Sequence, residues 1–154
     1  MISFSIVAMQ FVLKARIPLL ENTFGNKAIL ALHKAMAVVA TMFVFVHMGL
    51  LVWSRGNWNL VLSLRASWII FFGRVGAVTL ILILAFSFCR KRIPINNTDW
   101  RWFHNALAWT ILVSGFVHSI AIGSSFETVP VTLVWVGYFV IAMLAWLYRH
   151  FGRH

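Results

Sequence analysis

Charge is scarce in this chain, and negative charge scarcest of all. Of 154 residues, 10% are charged, and Asp and Glu together number three. An ordinary soluble domain carries about 25% charged residues with about half of its residues apolar. Here 62% are hydrophobic, too much for a soluble domain of this length to bury. The single Cys89 rules out an intrachain disulfide and a cysteine-based metal site. A basic n-region of the kind that opens a cleaved signal is missing from the start, so the first residues are kept as structure.

What is present is a set of apolar runs near 20 residues long, the length that crosses about 30 Å of hydrocarbon. The chain reads as all-α, a polytopic membrane bundle of about five transmembrane helices forming one domain over 1–154. The expected spans are about 1–20, 28–53, 67–89, 100–123 and 130–148. The first is short and needs Lys14 and Arg16 to snorkel to the interface. Pro18 and the following LENTFGNK are expected to break it, and Asn26 to cap the second. Trp53, Trp58 and Trp68 read as interfacial anchors, with 58–64 lying in the surface plane. Asn97 or Thr98 is the expected cap of the fourth span, and Pro130 fits the first turn of the fifth.

The formal net charge of +10 does not point to nucleic acid, because the basic residues fall in alternate loops. With five spans, one side carries ten: Lys14, Arg16, Lys27, Lys34, Arg90, Lys91, Arg92, Arg101, Arg149 and Arg153. The other side carries three, Arg55, Arg65 and Arg74. The positive-inside rule then puts the C-terminus in the cytoplasm of a multi-pass protein of the plasma (inner) membrane.

Four histidines lie inside these spans. His33 and His47 are 14 residues apart on the second, and His104 and His118 are 14 apart on the fourth. On a helix that spacing is roughly 21 Å of rise with the two rings within about 40° of one face. Both helices run the same way across the membrane, so His33 meets His104 at the inner level and His47 meets His118 at the outer. A single histidine in an apolar helix is as well explained by a hydrogen bond to a neighbour. Four with matched spacing and depth point to a ligand set. His150 and His154 belong to a solvated tail and have no assigned role.

Two imidazoles per level leave a zinc site incomplete, since zinc takes about four protein ligands. Haem needs only two axial ligands, and bis-imidazole iron with no open position favours electron transfer over oxygen binding. Candidate partners for haem propionates are Arg16, Lys34 and Arg101 at the inner level, with Arg55 and Arg74 at the outer. Most would be there as topology signals in any case; Arg74, set into a span, is the exception. Ala35, Ala37, Ala40, Ala106, Ala108 and Gly115 make room beside the histidines, a pattern that ordinary helix packing explains equally well. Phe43, Trp109 and Phe116 lie between the levels, and packing is the simpler account of each.

The order ARIPLLENTFG, LALHKAMAVV, HMG, DWRWFHNALAW and GFVHS resembles the ferric reductase-like transmembrane domain. That superfamily takes in ferric-chelate reductases, NADPH oxidases and the haem subunit of the periplasmic methionine sulfoxide reductase system. The likeness covers nearly the whole chain. Its specific part is the doubled histidine pair with W-R-x-x-H, here Trp100, Arg101 and His104. The resemblance implies an oxidoreductase membrane component with two b-type haems, ligated by His33 and His104 and by His47 and His118. Electrons would enter from a cytoplasmic flavin/NAD(P)H donor, the FAD or FMN and NAD(P)H residing on a partner, and leave to ferric iron or oxygen outside. Many members carry a further helix ahead of the first one here, and flavin and nicotinamide domains behind the last. The donor expected here is therefore a separate protein, a quinol or a domain beyond this chain.

Two alternatives stand beside this. One is a quinone-linked haem subunit of a periplasmic reductase; the chain lacks the Pro-Glu-Trp-Tyr motif of the respiratory cytochromes b that share such histidine spacing. The other is a haem-free membrane protein using its histidines for structure or proton movement.

Overall fold

The chain opens on an apolar segment with no Gly or Pro, and it forms helix α1, Ile2–Lys14. In the computed structural model, which describes residues 2–56, 58, 67–123 and 129–151, four more helices follow. They are α2 (Pro18–Arg55), α3 (Trp68–Phe88), α4 (Asn97–Gly123) and α5 (Val129–Phe151), with a 3-10 turn at Cys89–Arg92 after α3. No strand occurs among the described residues. The protein is an all-α membrane bundle.

The α1–α2 junction differs from the expected loop. Arg16 takes φ 55°, a left-handed conformation that costs an L-residue about 1–2 kcal/mol. Ile17 is extended, as the residue before a proline prefers, and Pro18 starts α2 rather than stopping a helix. LENTF is helical, and the interruption comes at Gly25, whose φ 74° and ψ 149° are open essentially to glycine alone. Gly56, in the left-handed region, closes α2 at its far end. The expected surface segment 58–64 lies outside the described residues, Trp58 excepted, which is exposed.

Helix α4 is capped by Asn96 rather than by Asn97 or Thr98. Its Oδ1 accepts from the Asp99 backbone N–H at 2.8 Å, and its Nδ2 donates to Asp99 Oδ2 at 2.7 Å. The first bond is the N-cap bond proper, and the second ties the two side chains together across the first turn. The sequence offers three adjacent polar residues here, and spacing alone does not choose between them.

The tightest packing is α3 on α4, and α1 fills the centre against α2, α4 and α5. Phe4, Val7 and Ala8 of α1 meet Ala40, Leu80, Ile83, Ile111, Leu112, Trp135 and Ala142 in one cluster. Leu112 is fully buried at its heart. Outside this seam the surface is apolar: only 17% of the most apolar stretch of α2 is buried within the protein. Such a surface needs lipid as its solvent. Pro18–Arg55, Trp68–Arg92 and Thr132–Phe151 are long and apolar enough to cross a membrane. Hydroxyls inside the helices bond back to their own backbone, Thr41 to Ala37 O at 2.8 Å and Ser114 to Thr110 O at 2.6 Å. That satisfies them where water is absent.

Candidate cofactor site: two facing pairs of imidazoles

The two histidine helices, α2 and α4, are held by their neighbours. Helix α4 rests on α3, and α2 on α1, while α2 and α4 make little direct backbone contact with each other. Across the space between them the histidines face in pairs. The rings of His33 and His104 have centroids 6.3 Å apart at 55°, and those of His47 and His118 are 6.4 Å apart at 77°.

Two metal–nitrogen bonds of about 2.0–2.1 Å, with about 1.1 Å from each nitrogen to its ring centre, separate two imidazole centroids by about 6.3 Å. Both pairs match that span. Among the described residues no three His, Cys, Asp or Glu side chains gather, so neither pair has a third protein ligand there. Such a donor set suits an iron whose remaining four positions are filled by a porphyrin.

The two levels are built differently. His118 Nδ1 lies 2.8 Å from the Ile69 carbonyl of α3. Because the carbonyl only accepts, Nδ1 carries the proton and Nε2 keeps its lone pair. His33 and His104 bury Nδ1 without a partner. An unsatisfied buried polar atom costs about 1–3 kcal/mol, a burden that packing alone gives no reason to carry. The Trp100 ring, 5.6 Å from that of His104, flanks the same level, and the Arg90 guanidinium sits 5.3 Å over Trp100.

The cations divide by level too. Lys14, half-buried at the end of α1, lies within electrostatic reach of His33, His104, Lys34, Arg16 and Arg149. Arg16 also pairs with Glu21 at 3.9 Å. Arg101 is exposed, one turn before His104. Arg74 is half-buried in α3 and follows Gly73, which abuts His118. Arg55 is exposed at the end of α2.

The intervening aromatics turn elsewhere. Trp109 packs edge-on against Phe11 of α1 and Trp146 of α5, and Phe116 stacks on Phe139 of α5 at 4.3 Å. They are core, on the side facing α1 and α5, and Phe43 is exposed. Gly115 serves Phe4, which a Cβ there would meet at 3.3 Å. Ala40 is buried, Ala37 and Ala108 are half-buried, and Ala35 and Ala106 are exposed.

Residues 1–115 match the model of the family described as ferric reductase like transmembrane component. The chain belongs to this family. No curated protein matches it. The matched stretch contains His33, His47 and His104 of this ferric reductase-like component, and His118 lies three residues past its end.

Sequence reasoning did not single out Ile69, Gly73 or Lys14 for the site. Ile69 acts through a backbone carbonyl, which no side-chain pattern reports. Gly73 was one glycine among nine. Lys14 read only as an interfacial anchor, since its closeness to the histidines depends on how α1 packs.

Proposed function

We propose that this ferric reductase-like component is a transmembrane di-haem b-type cytochrome. It carries electrons from a cytoplasmic flavin/NAD(P)H donor across the plasma (inner) membrane to an outer acceptor, ferric iron or oxygen. The observation that carries the reading is the two imidazole pairs, each spaced for one iron, on helices that make little direct backbone contact with each other. Bound haem supplies one-electron chemistry between ferric and ferrous iron with both axial positions filled.

The chain's own residues do the rest. His33 and His104 hold the inner group, and His47 and His118 the outer, roughly 21 Å further along the helices. Lys14, Lys34 and Arg101 offer positive charge to propionates at the inner level, and Arg74 at the outer. The apolar outer surfaces of α2, α3 and α5 suit a lipid surrounding along the stretch between the levels. Moving an electron outward, down the gradient of an inside-negative potential, releases about 2.3 kcal/mol per 100 mV.

The test is vectorial. Proteoliposomes loaded with haem-replete protein and trapped ferricyanide receive a membrane-impermeant reductant outside. Bleaching of the trapped ferricyanide is expected, lost in His104→Ala and in His47→Ala. A rate equal to that of protein-free vesicles contradicts the proposal.

A further inference from the structure

We propose that the first two turns of α3 are the seat of the His118 ligand. The Ile69 carbonyl sets the tautomer of its ring, and Gly73 leaves the space that the ring occupies. This rests on the di-haem reading and adds a positioning residue to it.

In an α-helix the carbonyl of residue 69 accepts from the N–H of residue 73, and side chains four apart share one face. The side chain at 73 would ordinarily screen that carbonyl from a neighbouring helix. With glycine there, the second lone pair of Ile69 O is open, and His118 Nδ1 reaches it at 2.8 Å. A Cβ at Gly73 would stand 2.6 Å from His118 Cε1, 2.7 Å from Nδ1 and 3.1 Å from Nε2. The first two are closer than real Cβ contacts come, and the ring is hemmed by the hydrogen bond, so it would have to leave its place.

One turn on, Gly76 does a different job. A Cβ there would meet Ser114 Oγ at 2.9 Å, and none of its three nearest atoms belongs to His118. Ser114 and His118 are four apart on α4 as Gly73 and Gly76 are three apart on α3, so the two glycines register successive turns of the same helix contact. Gly76 serves packing alone, which makes it the control. The hydrogen bond has a consequence for redox chemistry: an Nδ1–H donated to a carbonyl makes Nε2 a stronger donor and favours ferric iron. His33 and His104 have no such partner at Nδ1.

The experiment compares wild type, Gly73→Ala and Gly76→Ala, purified after expression with haem supplied. The readouts are the haem-to-protein ratio, the low-spin EPR signals and a spectroscopic redox titration. Gly73→Ala is expected to drop from about two haems to about one, or to keep two with one midpoint raised and its EPR signal moved. Gly76→Ala is expected to match wild type in all three. Gly73→Ala with both haems, both midpoints and both EPR signals unchanged overturns the inference. So does a Gly76→Ala change of the same size and kind, because it reduces Gly73 to packing. A wild-type protein without haem sinks the di-haem reading instead. For that case, and for a Gly73→Ala protein that does not fold, 15N-histidine NMR of the wild-type chain made without added haem decides. The His118 signal, assigned by its loss in His118→Ala, is expected as the Nδ1–H tautomer. An Nε2–H tautomer overturns the inference.

Discussion

At the scale of single residues, chemistry and stability separate cleanly. On the di-haem proposal the four histidines carry the chemistry. Replacing His33 or His104 by Ala should remove one haem of two and leave the other's spectrum in place, and replacing His47 or His118 should remove the complementary one. Pyridine haemochrome assay checks this, and loss of both haems from any single variant would contradict independent levels. Asn96 carries stability. Asn96→Ala removes the cap of α4 and should cost about 1 kcal/mol, seen as a lower melting midpoint in detergent with unchanged haem content. The histidines were legible in the sequence because an ionisable residue in an apolar run stands out, and a repeated spacing stands out more. Asn96 was less so, since Asn96, Asn97 and Thr98 present the same chemistry in a row and only the fold selects one. Ile69 and Gly73 were not legible at all, because one acts through its backbone and the other through an absent side chain.

At the scale of elements, the helices follow from apolar runs punctuated by charge, and their lengths from where the backbone can bend. The first bend was misplaced by one device. Pro18 looks like a stop, yet its fixed φ suits the first turn of a helix, and the chain bends just before it at Arg16 and again at Gly25. Gly25→Ala should therefore destabilise the fold by about 1–3 kcal/mol through backbone strain alone, as nothing lies within 4 Å of a Cβ there. Thermal unfolding measures it, and an unaltered midpoint would show that this break is relaxed in the folded protein. Helix α1 teaches a related lesson. At 13 residues it is about 20 Å long, short of the roughly 30 Å hydrocarbon core. Its value lies in packing, as the wedge on which α2, α4 and α5 close, and composition does not reveal that. The pairing of α3 with α4 was equally hidden, though it fixes where His118 stands.

At the scale of the whole molecule, the protein is a bundle whose core is one seam around Leu112, with imidazoles facing in pairs between α2 and α4, which make little backbone contact. Burial holds α3, α4, α1 and α5 together, whereas the space between the histidine helices has little packing of its own. A group bound there would add its binding energy to the fold, since a ligand that binds only the folded state stabilises it. The haem-replete protein should accordingly melt higher than the same chain made without added haem, and equal midpoints would argue that nothing binds between the histidine helices. The measurement that bears most directly on the central claim is a haem count on the purified wild-type protein, with oxidised and dithionite-reduced spectra beside it. The account predicts about two b-type haems per chain, low-spin and hexacoordinate in both oxidation states. A folded protein that binds no stoichiometric haem when haem is supplied would contradict it, and the two imidazole pairs would then need another explanation.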